Sequence, residues 1–124
     1  MKLRIHANSL RLRLSRSEVA RLTETGRLEE KLEFPGGARL TYAIESGDVS
    51  VPQASLDAAA IRVTLPRDSV TRWATTGEVG ISGECVFDGH VLALLVEKDF
   101  QCAHGDPDPD AYPNVQPETD DEPA

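Results

Sequence analysis

The sequence predicts an α+β domain: internally duplicated β-α-β-β units forming one pseudo-twofold sheet or barrel with two short helices. Three observations predict it: short alternating apolar segments, two helical segments with capping residues at their ends, and self-similarity along the chain. Residues 10–26 lie over 61–77 at an offset of 51 with seven identities in seventeen positions, Arg11/Arg62, Leu14/Leu65, Arg16/Arg67, Val19/Val70, Arg21/Arg72, Thr25/Thr76 and Gly26/Gly77. At an offset of 52, Gly37/Gly89, Leu40/Leu92 and Glu45/Glu97 also match, which places one insertion near the intervening turn. The first repeat therefore covers about 1–47 and the second about 52–100.

Each repeat opens with an alternating strand, 10–14 in the first and 61–65 in the second, whose apolar residues fall on one face. A helix follows. Ser15 with Glu18 three residues on has the form of a capping box, Val19 and Leu22 are spaced to face a core, and Gly26 suits a left-handed helix end. The second copy offers Val70, Trp73 and Gly77 in the same places, with Pro66 and Asp68 at the helix entry. Two hairpins close the repeats: 28–34 turns at Pro35-Gly36-Gly37 into 39–45, and 79–87 turns at Asp88-Gly89 into 91–97. An extended segment at Lys2–His6 has a counterpart around 54–57, which adds a further or bent first strand to each copy.

The chain of 124 residues carries 21 acidic and 13 basic side chains, net charge −8. One core of this size needs no disulfide or structural metal. Its longest apolar run, Val91 to Val96, is six residues, far short of the ~20 that span a bilayer. Arg4, Arg11 and Arg13 interrupt the N-terminal apolar pattern, so a secretory signal is not expected, and two cysteines fit a reducing cytoplasm. Residues 106–124 hold seven acidic side chains, no basic ones and five of the eight prolines, the composition of a disordered tail; residues 1–105 form the single globular domain. The first 21 residues are basic, with Lys2, Arg4, Arg11, Arg13, Arg16 and Arg21 against Glu18 alone. An acidic chain overall argues against a nucleic-acid partner, because phosphate affinity rests on positive potential.

Motifs for chemistry are sparse. Cys102 and His104 form a C-x-H pair with the donor types that zinc takes, so a metal ion is the one cofactor suggested, although tetrahedral zinc needs more ligands than this pair. Asp106, Asp108 and Asp110 imitate the start of a calcium loop, but Ala111 and Pro117 occupy positions that need glycine and glutamate. Glu45 and Glu97 end equivalent hairpins, and the repeated arginines Arg11/Arg62, Arg16/Arg67 and Arg21/Arg72 suit structural ion pairs with such carboxylates. No P-loop, Gly-x-Ser-x-Gly motif or histidine in a catalytic context occurs. Tyr112 is the one aromatic residue of the acidic tail and reads as an anchor for docking on the domain or on a partner.

The opening Lys2-Leu-Arg-Ile-His-Ala-Asn-Ser-Leu-Arg-Leu-Arg-Leu14 and the closing Glu97-Lys-Asp-Phe-Gln-Cys102 with Tyr112-Pro-Asn114 resemble a family of small bacterial proteins of unknown function. The resemblance covers residues 1 to about 114 and implies no activity; it places Asn8, Asp99, Cys102 and Asn114 in the characteristic segments. The resulting expectation is a non-enzymatic interaction or binding module, with Arg11, Arg13 and Tyr112 meeting an unknown protein or small ligand and a homodimer possible through an exposed sheet edge. The alternative is a metal- or small-ligand-binding protein using Cys102 and His104. A third reading, an enzyme, puts its pocket between the two copies.

Overall fold

The computed structural model describes residues 1–100 and 109–113. The chain runs β1 (Lys2–His6), β2 (Ser9–Leu14), α1 (Arg16–Thr25), β3 (Arg27–Glu33), β4 (Arg39–Gly47), β5 (Gln53–Asp57), β6 (Ala60–Pro66), α2 (Arg67–Thr75), β7 (Gly80–Phe87) and β8 (His90–Lys98). Both extended segments expected ahead of the alternating strands are strands in their own right, so each half reads β-β-α-β-β.

The fold is α+β, but the strands lie in two four-stranded sheets where one sheet or barrel was expected. Sheet A has the order β1-β2-β8-β7 and sheet B the order β3-β4-β6-β5. The reason lies in the helices. Each carries the chain out of one sheet and into the other, so the free edge of β2 is taken by β8 and that of β6 by β4. Both of these pairings are parallel, and every other pairing is an antiparallel hairpin. Parallel neighbours arise here from hairpins of different halves, which removes the need for a crossover connection.

The registers of the two sheets correspond. Ser9 lies opposite Ala93 and Ala60 opposite Thr41, and the main-chain bonds from Ala93 N to Asn8 O (3.1 Å) and from Thr41 N to Ala59 O (3.0 Å) occupy matching places. Among the described residues, twelve buried side chains form the core cluster, and they fall into six matching pairs: Leu12 with Val63, Leu14 with Leu65, Val19 with Val70, Leu22 with Trp73, Leu28 with Ile81 and Ile44 with Val96. The two helices touch each other and close one end of the space between the sheets.

The ends of α1 follow the sequence closely. Ser15 Oγ accepts from Glu18 N, the Glu18 carboxylate accepts from Ser15 N, and Gly26 stands at φ 81° with its N–H donating to Leu22 O. Helix α2 departs from it. Gly77 is not its left-handed cap: the helix stops at Thr75, and Thr76 is extended at φ −127°. Leu28 and Ile81 match at an offset of 53 where the helices match at 51, so two extra residues lie between α2 and β7 and no sharp reversal is needed there. The last turn of α2 is satisfied by hydroxyls instead, with Thr75 Oγ1 donating to Thr71 O and Thr76 Oγ1 to Arg72 O, while Trp73 Nε1 donates to Val79 O at 2.9 Å. The β7–β8 turn is the tight one expected, with Asp88 at φ 46° and Gly89 at 75°.

Candidate functional site

The outer face of sheet A gathers the basic N-terminal segment. Alternation along β1 and β2 sets Lys2 opposite Arg13 and Arg4 opposite Arg11, and all four side chains share this face while Leu3, Leu12 and Leu14 point to the core. Like charges directly opposite one another repel, so the face needs a counter-charge. Glu97 of β8 supplies it. Its Oε2 lies 2.7 Å from Arg11 Nε and 2.8 Å from Arg13 Nε, with the carboxylate only 12% exposed. Lys2 Nζ pairs with Asp99 at 2.8 Å. Arg4 is exposed and has no ion pair or hydrogen bond among the described residues. Two depressions mark this face, one of 170 Å³ beside Lys2, Arg4, Arg11 and Arg13, and one of 460 Å³ beside Arg4, His6, Ser9 and Arg11.

Sheet B provides an internal comparison. Glu45 stands where Glu97 does and pairs with Arg62, the counterpart of Arg11, at 3.6 Å and with Arg27. The remaining charges there alternate in sign, with Glu29 between Arg27 and Lys31 and Arg39 paired to Glu33. Where sheet A has Lys2, Arg4 and Arg13, the corresponding residues of sheet B are Gln53, Ser55 and Thr64. The central arginine–glutamate pair is thus common to both sheets; sheet B pairs each of its cations Arg27, Lys31, Arg39 and Arg62 with a carboxylate, whereas sheet A gathers Lys2, Arg4, Arg11 and Arg13 on one hairpin and leaves Arg4 unpaired among the described residues. Arg67 and Arg72 pair with Asp48 at 2.6 Å and Glu78 at 2.9 Å, as suits structural ion pairs.

The closing segment of β8 braces one end of this face. Asp99 N donates to Leu14 O and Asp99 O accepts from Tyr112 N, so one residue joins β2, the end of β8 and residues 109–113. Tyr112 is half-buried on the domain, its ring 5.8 Å from that of Phe100, with Lys98 Nζ 5.2 Å and the Arg16 guanidinium 6.0 Å from its centre. Burial raises the Tyr112 hydroxyl above the usual phenol value, and burial likewise lowers the Lys98 ammonium, with Glu78 opposing. Lys98 Nζ donates to Thr76 O at 2.8 Å. Asp110 sits at the start of α1, where Ser17 Oγ and Ser17 N donate to its carboxylate, and these bonds, the hydroxyl first, hold it below the usual aspartate value. Residues 109–113 of the expected tail are therefore seated on the domain.

Cys102 and His104 lie outside the described residues. Among the described residues, no group of three or more His, Cys, Asp or Glu is placed to hold a metal ion. Cys85, half-buried, has its Sγ 3.9 Å from Pro52 O. It faces a second feature, a cleft of 430 Å³ between the β1–β2 and β5–β6 hairpins, lined by residues of both halves including Ile5, Leu10, Leu56, Ile61, Phe87 and Leu92. The cleft lies between the two halves of the chain, where the enzyme reading of the sequence puts a pocket. It is the end of the inter-sheet space opposite the helices, where the apolar faces of the strands continue past the core uncovered.

Among the described residues no helix is long and apolar enough to cross a membrane. The fold and these surfaces define a small α+β protein of two four-stranded sheets and two helices, with the cations of one sheet face gathered on a single hairpin. The chain belongs to a family of unknown function, DUF7009, whose profile matches residues 1–116. That agrees with its resemblance to a small-protein family carrying no assigned activity. No curated protein and no solved structure matches the chain.

Proposed function

We propose that this protein is a non-enzymatic interaction module, a duplicated β-β-α-β-β unit in which the outer face of sheet A has diverged to bind an acidic protein segment. The observation that carries the reading is the difference between the two sheets. The Arg11–Glu97 pairing has its counterpart in Arg62–Glu45, yet sheet A sets Lys2, Arg4 and Arg13 beside Arg11 with only Glu97 and Asp99 to balance them, and Arg4 is left without an ion pair among the described residues. The matching registers and the six core pairs support duplication.

The chemistry favours a short acidic polypeptide over a longer polyanion. Glu97 and Asp99 interleave with the cations, which breaks the continuous positive track that a phosphate backbone needs. Strand β1 is also a sheet edge, so an extended segment pairing with it would set alternate carboxylates opposite Lys2 and Arg4. Glu97 is met through the Nε of both Arg11 and Arg13, and their terminal nitrogens make no hydrogen bond among the described residues, which leaves them for a second anion. Tyr112 contributes by bracing Asp99, and through it Lys2, at the end of the face.

The test is titration with a fluorescent oligo-glutamate peptide at low ionic strength. Binding should weaken as salt rises, fall about tenfold or more in the Arg4→Glu/Arg13→Glu double variant, and stay unchanged in Arg62→Glu. Equal losses in the sheet A and sheet B variants, or no binding to the parent protein, would overturn the proposal.

A further inference from the structure

We infer that the cleft between the β1–β2 and β5–β6 hairpins binds a long-chain fatty acid, the alkyl chain lying between the sheets and the carboxylate meeting Arg4 and Arg11. Two separate observations meet here. The first is the cleft itself: 430 Å³ falls within the range of about 300–1,000 Å³ typical of small-ligand sites, and its walls are mainly apolar. Leu56 is 72% exposed, Ile5 61% and Phe87 48%, a concentration of large apolar side chains left in water around one concavity. Two polar groups nearby are already committed. Asn8 Nδ2 donates to Val91 O at 2.7 Å and Ser9 Oγ to His6 O at 2.6 Å, so apart from the Ser55 hydroxyl the cleft offers a guest mostly hydrocarbon walls.

The second observation fixes the polarity of the guest. The 460 Å³ depression on the outer face of sheet A shares Ile5 and Ser9 with the cleft and is otherwise lined by Arg4, His6 and Arg11. Arg4 has no counter-charge among the described residues, so an anionic head reaching around the β1–β2 hairpin would supply one. An apolar cleft contiguous with an unbalanced cation matches a single-chain anionic amphiphile better than a neutral or cationic one. The inference shares Arg4 and Arg11 with the acidic-partner reading but stands on the cleft, which that reading does not use.

The experiment uses full-length protein carrying Cys102→Ser, which leaves Cys85 in the cleft as the sole thiol. The rate of Cys85 modification by a maleimide is followed against octanoate, laurate and myristate below their micelle concentrations. Saturable one-to-one protection is expected, with affinity rising about fourfold per added methylene until the cleft is filled. Arg4→Glu should weaken myristate by about tenfold or more and leave myristyl alcohol unchanged. Leu56→Asp, at a site exposed enough to keep the fold, should abolish protection by both. Absent protection, affinity independent of chain length, or protection indifferent to Leu56→Asp would each overturn the inference. So would protection that needs only higher protein concentration, since a second copy would then fill the cleft. The oligo-glutamate peptide should leave Cys85 labelling unchanged; protection by it would merge the two sites and also refute the inference.

Discussion

Replacing Glu97 by Gln separates the structural duty of the basic face from its binding duty. The carboxylate is 12% exposed, accepts a hydrogen bond from Arg13 Nε at 2.8 Å and lies 2.7 Å from Arg11 Nε as an ion pair, so the substitution removes a charge-assisted bond worth about 1.5–3 kcal/mol in buried settings together with the ion pair. Arg11 is 26% and Arg13 38% exposed, and water recovers part of that loss, leaving a cost of about 1–2 kcal/mol. For a domain of this size the melting temperature should fall by roughly 4–8 °C. The matching change on sheet B, Glu45→Gln, should cost only ~0.2–1 kcal/mol, because Glu45 is 29% exposed and its partners Arg27 and Arg62 are 41% and 56% exposed, so water recovers most of both contacts. Affinity for an acidic peptide should move the other way. Without the Glu97 carboxylate the four cations lose their central counter-charge, and the Glu97→Gln variant, though less stable, should bind oligo-glutamate severalfold more tightly. Thermal melts and fluorescence anisotropy on the two variants decide it: equal destabilisation, or weaker peptide binding by Glu97→Gln, would refute the reasoning.

Three further outcomes are expected. Trp73→Ala should cost about 3–5 kcal/mol and its counterpart Leu22→Ala about 2–5, read by chemical denaturation, since both side chains are fully buried in the same core. Gly26→Ala should destabilise by about 1 kcal/mol, because φ is 81° there, whereas Gly77→Ala should be near neutral, having open space and no left-handed backbone. The Asp110 carboxyl titrates below the usual aspartate value, so the docking it supports is complete above that usual value and lost as pH falls through the lowered one. The Tyr112 ring signals in NMR should follow that acid transition, and Asp110→Asn should remove it.

Local structure was legible wherever a side chain acts on its own backbone. Ser15, Glu18 and Gly26 define the ends of α1, Asp88-Gly89 defines the β7–β8 turn, and alternation at Leu12, Leu14, Val63 and Leu65 marks the buried faces. Gly77 misled because identity at a repeated position does not ensure the same role once two residues are inserted after the helix. The division into two sheets was not legible, since it depends on which strand fills the free edges of β2 and β6, a choice made by packing between distant segments. Arg11 and Arg13 were visible as a basic strand, whereas their sharing one face with Lys2 and Arg4 follows only from the β1–β2 register. Glu97 as their common partner appears only when β8 lies beside β2, and the cleft only when both hairpins meet.

The most direct measurement is amide chemical-shift mapping of the isotope-labelled protein during titration with oligo-glutamate. Shifts concentrated on Lys2, Arg4, Arg11, Arg13 and their neighbours in β8 are expected, with Arg27, Arg62 and the rest of sheet B unmoved. Shifts of equal size on both sheets, or centred on sheet B, would contradict the claim that sheet A alone has become the binding face.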